Sequence, residues 1–232
     1  MAKTKRGLNL SKAAATDSPA RKTYLFAVGI DTYAHLDDLN NAVRDVEAVS
    51  QKLCDYFDCE ILDIAPPLFN EEATRSNLGK RFRALVRHFK QKEYTDNLII
   101  YFAGHGEWEE EMEEGYWALH GAQHQDYTTF YSNSELVRSI RALKTHHTFI
   151  ISDSCFSGGL IDSSRYRANR KEQDRSRFVL ASGLKDQKVL DGDTHSPFAE
   201  KSKTAPGLCW LLGLKIKRCW TVIRIALLLN PS

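Results

Sequence analysis

A cysteine that attacks a carbonyl needs a base or cation to make it a thiolate, and donors where the oxyanion will form. Cys155 meets the local part of that need. It follows the apolar run HTFIISDS (147–154) and precedes Ser157-Gly158-Gly159, where glycines let the chain turn tightly and expose backbone N–H groups. His105 lies fifty residues earlier, between Gly104 and Gly106, at the end of a second apolar run, NLIIYFAG (97–104). A lone cysteine after a strand is usually a small buried hydrophobe, and a lone histidine is usually a surface or core residue. Two such residues, each flanked by glycine and each closing an apolar run, read together as nucleophile and general base. No third orienting residue is evident in the sequence.

The pair needs a scaffold that brings two strand ends together. Four runs read as buried strands: 24–30, 97–104, 147–154 and 177–182, with a weaker one at 60–64. Amphipathic spacing predicts helices over 40–57 and 75–90. A third helix is expected from Ser132 onward, where Ser132 and Glu135 fit a capping box. Strands alternating with helices predict an α/β fold with a mostly parallel sheet covered on both faces. Such sheets place their sites at the carboxyl ends of the strands, where His105 and Cys155 both fall.

The chain has 232 residues, enough for one α/β domain. Residues 1–22 read as a disordered basic tail, 23–200 as the domain, and 201–232 as an atypical basic and apolar tail. Residues 24–200 hold 20 Lys/Arg against 29 Asp/Glu, a net charge of −9. That balance argues against nucleic acid as a partner and favours cationic ones. The five cysteines are odd in number and irregularly spaced, so neither a zinc site nor a disulfide framework is expected. The N-terminal stretch lacks an apolar core, and no run reaches the length of a membrane span. The expected setting is reducing and cytoplasmic.

The motifs YFAGHG (101–106) and DSCFSGG (153–159) resemble the histidine and cysteine motifs of the caspase-like superfamily, and DSCFSG is similar to its metacaspase and bacterial branch. The resemblance covers about residues 23–200 and includes LNNAVRDV, RFVLASG and SPFAE. It implies a caspase-like three-layer α/β/α sandwich, with a large-subunit part to about 160, a linker over 161–176 and a partial small-subunit part over 177–200. It implies a cysteine endopeptidase. Cys155 would attack the scissile carbonyl, His105 would manage the protons, and the N–H groups of Gly106 and Cys155 would hold the oxyanion.

By the same resemblance, Asp45 and Asp153 would line the S1 pocket and select substrates with Arg or Lys at P1. Residue 103 departs from the pattern: it is Ala where some relatives carry a Ser that helps form the pocket. The basic segment 161–177 would be the inter-subunit linker, with Arg165, Arg167, Arg170 and Arg175 as candidate self-processing sites. Six glutamates in EWEEEMEEG (107–115) raise the question of Ca²⁺, which activates many metacaspases, but they lack the Asp-based spacing of a calcium loop. The expectation is a solvated acidic loop, with no metal residues and no required cofactor. The unusual C-terminal end leaves one alternative, a catalytically impaired scaffold or regulator. A serine hydrolase using Ser154 or Ser157 is disfavoured by the absence of a G-x-S-x-G elbow.

Overall fold

The computed structural model describes residues 21–155, 176–182 and 194–202. The chain enters on strand β1 (Thr23–Gly29) and passes through helix α1 (Ala42–Phe57) to the short strands β2 (Cys59–Ile61) and β3 (Leu68–Phe69). Helix α2 (Arg75–Lys92) leads to β4 (Asn97–Ala103). Strands β5 (Gly106–Glu109), β6 (Glu114–Trp117) and β7 (Tyr131–Ser132) follow, then α3 (Asn133–Ala142) and β8 (His147–Asp153). Strand β9 (Ser176–Ala181) and the short helix α4 (Pro197–Ser202) complete the described elements.

The central sheet has the order β2-β1-β4-β8-β9, with β3 also paired to β1, and its described pairings are all parallel. Alternation along the strands splits the core into two layers. Tyr24, Phe26, Val28, Ile100 and Phe102 face α2 and α3, where Leu78, Phe82, Leu85, Leu136 and Ile140 cover them. Leu25, Ala27, Ile99, Tyr101 and Ala103 face the other way, against Val46, Val49 and Leu53 of α1 and Phe198 and Ala199 of α4. The result is the expected three-layer α/β/α sandwich. Gly29 lets α1 lie close to β1, because a Cβ there would sit 2.9 Å from Val46 Cγ2 and 3.1 Å from Val43 Cα.

Local signals account for the helix ends. Thr74 caps α2 by accepting from the Asn77 N–H at 3.2 Å. Ser132 and Glu135 form the expected capping box on α3, each side chain accepting from the other's backbone N–H.

The acidic stretch 107–115 corrects the sequence reading. It is a β-hairpin, not a loop: β5 and β6 pair antiparallel, with the turn between Glu109 and Glu114. With β7 they form a second, three-stranded sheet. The two strands are only four residues each, and Glu110, Glu111 and Glu113 fill the turn between them, so the stretch reads as one polar run. The tails 1–20 and 203–232 and the segment 156–175, which contains Arg165, Arg167, Arg170 and Arg175, lie outside the described residues. Among the described residues, no helix is long and apolar enough to cross a membrane.

Candidate active site

β4 and β8 are neighbours, and Ala103 pairs with Asp153 at their carboxyl ends. His105 and Cys155 each lie two residues beyond that pair. The parallel register therefore delivers both side chains to one edge, where they line a single open cleft of about 80 Å³ together with Asp45, Asp153, Ala103 and Ser196. All four side chains assigned to chemistry or specificity from the sequence meet here.

Backbone packing joins the two strand ends. Gly104 N–H donates to the Asp153 carbonyl at 3.2 Å. A Cβ on Gly106 would lie only 2.2 Å from the Cys155 carbonyl oxygen, so this position accepts glycine alone without a shift of the Cys155 backbone. On the opposite face of β8, Trp117 Nε1–H donates to Ser152 Oγ at 2.9 Å, and Ser152 Oγ lies 3.1 Å from Ser154 Oγ. Trp117 also stacks on Phe102 with ring centroids 4.2 Å apart. The second sheet thus buttresses the end of β8 from below.

The loop from Ile30 to Asn41 orients His105. His105 Nε2 lies 2.8 Å from the Asp37 carbonyl oxygen. A carbonyl can only accept, so Nε2 carries the hydrogen, and Nδ1 of the neutral ring is left as the basic nitrogen. The His105 backbone N–H donates to Tyr33 Oη at 2.8 Å, and the two rings lie 4.9 Å apart. Burial holds the Tyr33 hydroxyl well above its usual range, against the smaller opposing effect of that bond, so it stays neutral. The loop itself is tied down. Asn70 Oδ1 accepts from the N–H groups of Asp31 and Thr32 at 2.8 and 3.2 Å, and Ala34 N–H donates to the His120 carbonyl at 2.9 Å.

Asp45 and Asp153 are both buried, 1% and 6% exposed, and the segment 194–202 joins them. Ser196 N–H donates to Asp45 Oδ2 at 2.8 Å, and Ser196 Oγ donates to Asp153 Oδ2 at 2.5 Å. His195 Nδ1 bonds the other oxygen of Asp45. Ser196 Oγ also accepts from Ala199 N–H at 3.0 Å, which makes it the N-cap of α4 with Pro197 in the first helical position. Asp45 sits in the first turn of α1, so its carboxylate is also favoured by that helix's positive end.

Four participants were not singled out in the sequence: Tyr33, the Asp37 carbonyl, His195 and Ser196. A backbone carbonyl leaves no residue-type signal. Ser196 did leave one, since Ser-Pro before an apolar residue marks a helix start, but nothing local says what else its hydroxyl touches.

The glutamates of the hairpin do not assemble a cation site. Glu109 accepts from the Tyr116 hydroxyl at 2.6 Å, Glu114 from the Ser134 N–H at 3.2 Å, and Glu107 pairs with His124 at 3.3 Å. Among the described residues, no group of three or more His, Cys, Asp or Glu is placed to hold a metal.

The sequence matches the family model of the caspase domain, peptidase family C14, over residues 23–201. No curated protein matches the chain. Among solved structures, the fold is similar to the crystal structure of protein GSU0716 from Geobacter sulfurreducens, with 14% identity, a TM-score of 0.56 and 83% of each chain covered. At that identity the likeness concerns the fold alone. With the family match spanning the sheet, both strand-end motifs and the segment that closes the cleft, the chain belongs to the caspase-domain family of peptidases.

Proposed function

We propose that the protein is a cysteine endopeptidase that cleaves after Arg or Lys. The observation that carries this reading is the shared cleft: His105 and Cys155 line it together with two buried carboxylates, Asp45 and Asp153. Two carboxylates drawn out of water in one pocket repel each other and favour a guanidinium or ammonium between them. An acidic P1 side chain would meet only repulsion. Ser196 adds a hydroxyl to the pocket where Ala103 has none.

In this mechanism His105 Nδ1 takes the Cys155 proton, and the thiolate attacks the scissile carbonyl carbon. The N–H groups of Gly106 and Cys155 stabilise the oxyanion. The tetrahedral intermediate collapses as His105 returns the proton to the leaving amine. Water, deprotonated by His105, then hydrolyses the acyl-enzyme and frees Cys155. The same preference would permit cleavage at Arg165, Arg167, Arg170 or Arg175, seen as fragments in wild type that are absent from Cys155→Ala.

The test is labelling by peptidyl chloromethyl ketones that differ only at P1. Arg and Lys probes are expected to label wild type far faster than an Asp probe, and Cys155→Ala is expected to lose the label. Faster labelling by the Asp probe would overturn the specificity. Absence of labelling in folded wild type would favour the scaffold reading.

A further inference from the structure

Two cysteines outside the active site are brought into contact by the way α1 ends. Asp58 terminates the helix in the left-handed conformation, φ 49° and ψ 49°. A helix closed by such a residue folds the next residue back over the last turn, against the residue four positions before the cap. Here the next residue is Cys59 and the one it meets is Cys54. Their Sγ atoms lie 2.7 Å apart, well inside the separation that two non-bonded sulfurs keep. Cys59 is buried and locked into β2 opposite Thr23, while Cys54 is half-buried.

We propose that Cys54 and Cys59 are a reversible dithiol–disulfide couple, a redox modification site separate from the nucleophile Cys155. The oxidant is a low-molecular-weight disulfide such as oxidised glutathione. The more exposed Cys54 thiolate attacks it, forms a mixed disulfide and releases one thiol. Cys59 then attacks Cys54 Sγ, closes the internal disulfide and releases the second thiol. The protein loses two protons and two electrons, and the small disulfide gains them as two thiols. Burial, reinforced by the neighbouring Cys54, pushes the Cys59 thiol up, so it is the poorer first attacker, and its contact with Cys54 Sγ places it for the second step. In the closed form the staple joins the last turn of α1 to the edge strand β2. Asp45 lies nine residues upstream on α1, about 13 Å along the helix axis, so the staple acts on the stability of this corner and leaves the cleft unchanged.

The chain offers a direct readout, because Cys54 and Cys59 fall in one tryptic peptide, 53–75, with no Lys or Arg between them. The full-length protein is reduced, exposed to oxidised glutathione, alkylated with iodoacetamide and digested. The expected result is a 53–75 peptide that takes no alkyl group, is lighter by two hydrogens, and regains both alkylation sites after dithiothreitol. Oxidation is also expected to raise the melting temperature by a few degrees, with no shift in Cys59→Ser. A peptide that stays alkylated at both cysteines after oxidation of the folded protein would overturn the proposal. So would a stable glutathione adduct on Cys54 that does not close. Both readouts are independent of peptidase activity.

Discussion

At the level of single side chains, the site turns on which nitrogen of His105 carries a hydrogen. The Asp37 carbonyl holds it on Nε2, which leaves Nδ1 without a hydrogen, as the proposed mechanism requires of the base. Tyr33 holds the backbone of the same residue, and its ring lies against the imidazole. Tyr33→Phe keeps that ring but removes the acceptor of the His105 N–H. The buried donor loses a bond of about 1–1.5 kcal/mol, and the base loses part of its positioning. Inactivation by the Arg chloromethyl ketone is expected to slow about tenfold, with the circular dichroism spectrum unchanged. An unaltered rate would mean that the Asp37 carbonyl suffices to position the ring.

At the level of elements, the cleft is built from four pieces of chain far apart in sequence: the end of β4, the end of β8, the segment 194–202 and the first turn of α1, which brings Asp45. The first two were legible in the sequence, because buried parallel strands appear as continuous apolar runs and the chemistry sits at their ends. The helices were equally legible; the capping box on α3 even placed its first turn. The third piece was not. Ser196 reads locally as a helix cap, whereas its role in the cleft comes from a hydroxyl that reaches Asp153 and an N–H that reaches Asp45. Contacts across 43 and 151 residues leave no trace in spacing. Ser196→Ala separates the two roles. Loss of the cap is expected to cost about 1 kcal/mol of stability. Loss of the donor to Asp153 is expected to raise KM for an Arg P1 substrate several-fold, while alkylation of Cys155 by iodoacetamide keeps its rate. If the iodoacetamide rate falls in parallel, Ser196 supports the nucleophile rather than the pocket.

For the whole molecule, a sensitivity to pH sits at the end of the sheet away from the cleft. The carboxyl end holds the cleft. The amino end of β8 begins with His147, 5% exposed, whose N–H donates to Asn97 Oδ1 at 3.3 Å. Six residues of strand, about 20 Å, separate it from Asp153. Burial lowers the His147 pKa to about 4, helped by the neighbouring charges of His146, Arg21 and Arg177. In the unfolded chain the same group titrates near its ordinary value of about 6.5. Between those values the unfolded state binds the extra proton, so stability falls as pH drops from about 6.5 to about 4. Above that window the contribution is fully present, and below it this group removes nothing further. The full effect is up to about 3 kcal/mol. His147→Gln abolishes the titration but leaves the carboxylates to titrate as before. The variant is therefore expected to lose less melting temperature than wild type between pH 7 and pH 4, by on the order of 5–10 °C. Labelling of Cys155 at pH 7 should be the same in both. Equal losses of melting temperature in the two proteins would show that His147 is protonated in the folded state, and that acid acts on the fold through its carboxylates instead.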